Sequence, residues 1–243
     1  MKKQESHAGP VSLRLETVAA FVPDGARVAD IGADHALLLI HLARAGRIRR
    51  GIAGELNRGP YLNAIHRVRQ AGLDHLIEVR QGDGLSVLAP GEVDVIVLAG
   101  MGGTLMADIL QAGIGKLEGV HRLVLQPNIG GKRVRRWLKE HGFYIVDETI
   151  VEEEGILYEV AVAEPGDWKE EADAPWPEEM MMEIGPVLWR KRHPLLKRKL
   201  LVELESREAA LAQLRQARTE EAKRRRASLE EEREQWKKVI ACL

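Results

Sequence analysis

The 243-residue chain contains one cysteine, Cys242, so no intramolecular disulfide and no thiolate metal cluster can form, and a reducing cytoplasm suits it. Long apolar runs are missing. Ala36–Ile40 is stopped at once by His41, and the opening MKKQESHAGP has no apolar segment of the kind a signal peptide needs, so a soluble protein without a membrane span is expected. An excess of either charge is missing too: 36 Lys and Arg stand against 37 Asp and Glu, a net charge of -1. That balance excludes a uniformly basic nucleic-acid coat while leaving local patches open. Glycine and proline are absent from residue 195 to the end, which excludes a turn-rich tail and favours long helices.

Up to about residue 163, short apolar runs alternate with amphipathic stretches, the pattern of an α/β fold with a parallel sheet covered by helices. Strands are predicted at 27–31, 51–54, 77–80, 93–99 and 123–126. Two more, 143–151 and 156–163, are joined by the acidic turn Glu152-Glu153-Glu154-Gly155, too short for a crossover helix, so they should form an antiparallel hairpin at the sheet edge. The total is a seven-stranded, mostly parallel sheet. Helices are predicted at 12–21, 35–45, 60–71, 104–111 and 132–141, with Pro60 in a first turn that tolerates it. Composition then divides the chain into a domain at 1–163, an acidic, proline-bearing linker at 164–177 and a charged helical region at 178–243. Leu196, Leu200, Leu204, Leu211 and Leu214, then Leu229, Trp236, Val239 and Ile240, make two apolar stripes separated by polar residues 216–226. They are expected to fold back as an antiparallel coiled coil. Residues 190–226 hold 13 Lys and Arg against five acids, so this appendage carries the strongest positive field.

The first strand ends in Asp30-Ile31-Gly32-Ala33-Asp34-His35, where Gly32 lets the backbone pass close to a ligand at the carboxyl end of the sheet. The turn lacks the three-glycine fingerprint of dinucleotide sites, and Asp30 and Asp34 would repel a pyrophosphate. A cationic adenosyl cofactor suits these charges better than NAD. Glu55 stands at the end of the second strand, where an acid holds ribose hydroxyls, and Gly82-Asp83-Gly84 follows the third. Ala99-Gly100-Met101-Gly102-Gly103 closes the fourth strand and leaves an open backbone shelf for a flat ring, with Gln126-Pro127-Asn128 at the end of the fifth. The Asp/Asn-Pro-Pro-aromatic motif that DNA-base amino-methylating enzymes carry after the fourth strand is absent.

Taken together, VADIGADHALL at 28–38, IAGELNRGPY at 52–61, VRQGDGL at 79–85, LAGMGGTL at 98–105 and LQPNIGGKRVRRWL at 125–138 resemble the bacterial tRNA adenine(22)-N1-methyltransferases. So do the opening LRLETVA and the charged helical tail. The one departure noted is Leu39, where proline is expected. The resemblance implies a Rossmann-like class I methyltransferase domain followed by an antiparallel coiled coil, with S-adenosyl-L-methionine as cofactor and tRNA as partner. It implies cofactor contacts from Asp30, Gly32, Glu55, Gly82, Asp83, Ala99, Gly100, Met101 and Gly102. Catalysis falls to Asp34 with His35 beside it, and substrate contacts to Arg14, Gly103, Gln126, Pro127, Asn128 and Arg133. A cytoplasmic monomer with no metal completes the expectation.

The chemistry supports a carboxylate at the reacting base. Adenine N1 has a free in-plane lone pair, so attack needs no prior deprotonation. Positive charge passes to the base, and Asp34 near the 6-amino group would stabilise it and could take the amino proton. Asp34 has a rival role as N-cap of the helix starting at His35. For the RNA, Arg14, Arg47, Arg49, Arg50 and the cluster Lys132, Arg133, Arg135 and Arg136 are further candidates, with the basic appendage. Two other readings share the cofactor features: a methyltransferase on other RNA, DNA, protein or a small molecule, and an inactive binding module.

Overall fold

A computed structural model describes residues 11–168, 175–214 and 219–243. Seven strands form one sheet: β1 Ala26–Ile31, β2 Ile48–Glu55, β3 Ile77–Gln81, β4 Val95–Met101, β5 Arg122–Pro127, β6 Phe143–Glu153 and β7 Ile156–Pro165. Their order is β3-β2-β1-β4-β5-β7-β6, with β1 to β5 parallel and β7 antiparallel to both neighbours. The winding direction reverses between β1 and β4, which opens a crevice at their carboxyl ends. All seven predicted strands are present. The hairpin turn is tighter than read: Glu154 and Gly155 alone make it, at φ 51° and 81°, so β6 runs on to Glu153. Two positive φ values in a two-residue loop match the right-handed twist of the strands.

Helices α1 Leu13–Ala20, α2 Leu37–Arg44, α3 Arg58–Gln70, α4 Gly103–Ala112 and α5 Gly131–Glu140 cover the sheet. The Ser12 hydroxyl caps α1 by accepting from the Leu15 amide. Helix α2 was expected from His35 but begins at Leu37, because Asp34, His35 and Ala36 all have left-handed backbones. Alternate residues of β4 serve opposite faces: Val95 and Val97 pack with Val28, Leu39, Leu42 and Val68, whereas Ile96 and Leu98 pack with Met106, Leu110, Leu125 and Trp137. Burial of each such side chain contributes about 1.5–3 kcal/mol over exposure.

One buried charge cluster fastens the far edge. Arg135 on α5 pairs at 2.6 Å with Glu148 on β6 and at 2.6 Å with Glu159 on β7, and donates to the Met182 carbonyl at 3.0 Å. Glu148 also accepts from the Val187 amide at 2.8 Å. These bonds hold the Met-rich helix α6 Glu178–Ile184 beside α5, with Met180, Met181, Met182 and Ile184 buried. The chain accordingly divides into compact units after Val187, instead of at residue 178 as composition suggested. Residues 169–174 of the expected linker lie outside the described residues.

Helix α7 Pro186–Arg190 carries the chain into the second unit, where α8 Leu196–Leu214 and α9 Glu220–Ala241 form an antiparallel pair. The Arg207 guanidinium lies 4.5 Å from the Trp236 ring centre, and Arg192 reaches the Cys242 carbonyl at 3.4 Å. Leu200, Leu211, Leu229, Trp236 and Val239 are buried. The reversal was expected across 216–226, but α9 already begins at Glu220, so most of that polar stretch is helix; residues 215–218 lie outside the described ones. Among the described residues no helix is long and apolar enough to cross a membrane.

Candidate active site

Parallel strands in register bring three acids to one edge of the sheet. Asp30 is the penultimate residue of β1, Glu55 the last of β2, and Asp83 follows β3 by two residues. Asp30 and Glu55 are buried; Asp83 is exposed. Burial pushes the Asp30 carboxyl from 3.8 to about 7, the charges of Glu55 and Asp34 adding to it and Arg14 opposing. Glu55 is raised as well, by burial first and then by the Asp34 charge, against His35 and a hydrogen bond from the Asp34 backbone. Its Oε1 is buried with no hydrogen-bond partner among the described residues. Buried acids left so under-satisfied call for a ligand with hydroxyls and positive charge.

Glycine is required at two points of this edge. Gly32 has φ 72°, and a Cβ there would stand 3.0 Å from the Met101 methyl. At Gly82 a Cβ would stand 2.7 Å from a Val87 methyl. Between β1 and α2, three consecutive non-glycine residues are left-handed: Asp34 at φ 34°, His35 at 68° and Ala36 at 58°. Such conformations cost of order 1–3 kcal/mol each and persist where a site demands them. Their effect is to lift Asp34 out of the fold, with its side chain 83% exposed and 3.5 Å from His35 Nε2. Asp34 makes no side-chain cap, so the capping role considered for it is corrected. His35 Nδ1 is buried and lacks a hydrogen-bond partner among the described residues.

A second network builds the shelf. Buried Gln126 accepts from Arg14 Nη1 at 2.7 Å and from the Gly100 amide at 3.2 Å, and donates to Asn128 at 3.1 Å. Asn128 in turn donates to the Gly100 carbonyl at 2.9 Å, while Pro127 pairs with Met101 across β5 and β4. Arg14 also lies 5.5 Å from the centre of the Tyr158 ring. Residues 14, 100, 126 and 128, chosen from sequence as separate motifs, are therefore one hydrogen-bonded unit. Gly103 does something else: it is buried, its amide donates to the Ile129 carbonyl at 2.8 Å, and a Cβ would overlap the Gly130 carbonyl. It locks two loops together and faces no open space.

The crevice opens into a cavity of about 920 Å³. Asp30, Gly32, Asp34, Ala99, Gly100 and Asn128 line it. Its walls include Arg14 and Glu16 of α1, His41 and Arg44 of α2, Arg67 of α3 and Tyr158 of β7. Sequence reasoning missed Tyr158, His41, Arg44 and Arg67. The last three carried a signal only in helical periodicity, and Tyr158 carried none. Other expected RNA contacts are used internally: Arg47 pairs with Asp24, Arg49 with Asp94, Arg50 with Glu78, Lys132 and Arg136 with Glu179, and Arg135 is buried. Arg133 remains exposed at the start of α5. No group of three or more His, Cys, Asp or Glu that could hold a metal occurs among the described residues.

A family model for TrmK, tRNA (adenine(22)-N(1))-methyltransferase, matches residues 28–238. The tRNA (adenine(22)-N(1))-methyltransferase of Bacillus subtilis is 42% identical over 231 residues, 95% of this chain and 97% of that one. The crystal structure of the B. subtilis m1A22 tRNA methyltransferase TrmK is similar with a TM-score of 0.88, covering 95% and 99% of the two chains. Streptococcus pneumoniae Sp1610, solved in complex with S-adenosyl-L-methionine, is 40% identical with a TM-score of 0.82 over 95% of this chain and 100% of that one. The residues present fit such a group: the unpartnered Glu55 oxygen suits a ribose diol, buried Asp30 suits a cation, and Gly32 leaves the approach clear.

Proposed function

This chain belongs to the TrmK family of tRNA (adenine(22)-N(1))-methyltransferases, and from that membership we infer that it methylates N1 of the adenosine at position 22 of tRNA, with S-adenosyl-L-methionine as donor. The observation that carries the reading is the meeting, at the carboxyl ends of the strands, of Glu55, whose Oε1 is unpartnered among the described residues, with the exposed Asp34. When bound, the cofactor supplies an electrophilic methyl group. Glu55 holds its ribose hydroxyls, Asp83 its adenine amino group and Asp30 its positive charge; Gly32, Gly82 and Ala99, Gly100, Met101 and Gly102 give the close backbone approach.

Asp34 is the catalytic residue in this reading. The target base brings its own lone pair, so the carboxylate acts on the charge that grows as N1 is methylated and accepts the 6-amino proton. His35 Nε2 stands 3.5 Å from that carboxylate. The strained backbone of residues 34–36 keeps Asp34 forward at a cost the rest of the fold bears. The shelf of Arg14, Gly100, Gln126, Pro127 and Asn128 receives the flat base, and Gly103 stiffens it from behind.

N1 lies on the Watson–Crick edge, so the adenosine must leave its stack before it reacts. Arg133 and the helical unit, with exposed Lys197, Lys223, Arg224 and Arg225, grip the RNA body through phosphates. The catalytic domain includes residues up to Val187, and the enzyme works as a cytoplasmic monomer without a metal. The test is methyl transfer from labelled cofactor to tRNA transcripts carrying adenosine or guanosine at position 22, followed by nucleoside analysis. Label recovered as 1-methyladenosine from the first transcript alone is expected; label entering DNA or protein and neither transcript would overturn the reading.

A further inference from the structure

We propose that Arg44 and Arg67, which line the same cavity as Asp34, form a phosphate-binding wall for the RNA backbone immediately flanking the target adenosine. The proposal rests on the tRNA reading above and assigns a part of that substrate to residues outside the family motifs.

Two observations converge. First, the two arginines are unused. The neighbouring cations Arg47, Arg49 and Arg50 are held by Asp24, Asp94 and Glu78, whereas the side chains of Arg44 and Arg67 are exposed and make no ion pair or hydrogen bond among the described residues. Leaving a guanidinium unpaired beside paired neighbours keeps its five donors free for a phosphate.

Second, both line the cavity that Asp34 and the Gly100 shelf also line. Leu37, Ile40, His41 and Arg44 recur at i, i+3, i+4 and i+7, so one face of α2 lines the cavity from its first turn to its last. Seven residues of helix rise about 10 Å, the reach of a nucleotide from its base edge to its phosphates.

The experiment compares the wild type with Arg44→Ala/Arg67→Ala, Arg44→Lys/Arg67→Lys and Arg49→Ala/Arg50→Ala, using the full chain and an unmodified tRNA transcript. Steady-state methylation, tRNA binding across a potassium chloride series, cofactor calorimetry and thermal melting are measured on each. For the alanine pair the tRNA KM should rise about tenfold with kcat within twofold, and the salt dependence of log K should become shallower by roughly 0.7–0.9 per lost contact. The lysine pair should keep the slope, and the Arg49 and Arg50 pair should match the wild type in KM and slope. Unchanged KM and slope in the alanine pair, with the wild type methylating tRNA normally, would overturn the wall and leave the function standing. Equal losses of cofactor affinity or melting temperature in the alanine pair would also overturn it, by showing a structural role. A wild type that methylates no tRNA would instead bring down the reading beneath.

Discussion

Arg14, in the first helix, donates to the side-chain carbonyl of Gln126 at 2.7 Å, a bond that joins α1 to the end of β5 across 112 residues of chain. Gln126 is wholly buried and also takes the Gly100 amide, so one side chain sets both the position of α1 and the shape of the shelf.

Gln126→Ala should therefore cost more than a surface change. It leaves the Gly100 amide and Arg14 without their acceptor, a loss of about 1–3 kcal/mol by the usual penalty for stranded polar groups. Thermal melting should show the drop, and turnover on tRNA should fall with it. A variant as stable and active as the wild type would show that the shelf is held by Asn128 alone.

Glu55→Ala removes the acid whose Oε1 has no hydrogen-bond partner among the described residues. Cofactor affinity should weaken by about 1.5–3 kcal/mol, the range for a hydrogen bond to a charged group. Stability should hold or rise, since burial already penalises this carboxylate. Calorimetry with the cofactor measures the first and melting the second; an unchanged affinity refutes the ribose assignment.

Asp34→Asn keeps shape and removes charge. Because the side chain is exposed and caps nothing, folding and cofactor affinity should stay within error. Single-turnover methylation at saturating tRNA should slow by about 10²–10³, as when one preorganised electrostatic group is lost. A loss under threefold would move the search to His35.

Asp30 gives a pH signature. Its carboxyl titrates at about 7 in the folded protein, against 3.8 when free, because of burial and the neighbouring charges of Glu55 and Asp34. Between those values the folded state holds a proton that the unfolded state has lost, so this group's contribution to stability falls as pH rises through the window. Asp30→Asn should flatten the decline in melting temperature from pH 5 to pH 8 and raise it at pH 8, by roughly 2–4 °C for each kcal/mol released. Parallel melting curves for the two proteins would refute the description of Asp30 as a buried, partly protonated acid.

Arg135→Met should be the most damaging of these changes. It strands Glu148, which is buried with Arg135 and the Val187 amide as partners, and breaking such a pair costs about 3–5 kcal/mol. The double variant Arg135→Met/Glu148→Leu should recover much of that loss. Denaturant titration of both proteins decides it.

Local chemistry made much of this molecule legible in the sequence. Apolar runs of strand length separated by helical stretches specify seven strands, because each element must bury one face at its own period. DIGADH, Glu55, GDG and AGMGG could be placed at strand ends for the same reason, since a parallel sheet aligns the carboxyl ends of its strands. What the sequence could not supply is which cations are spoken for: Arg135 and Arg133 look alike in KRVRR, yet one is sealed against Glu148 and Glu159 and the other is exposed. The same holds for Arg44 beside Arg47. Nor could it show that Asp34 caps nothing, because residues 34–36 take a left-handed run where they pack against α3, a contact the local sequence does not reveal. Periodicity and motif order are properties of neighbours along the chain and survive in one dimension. Pairing, burial and strain depend on groups brought together from distant positions, and only the closed fold decides them.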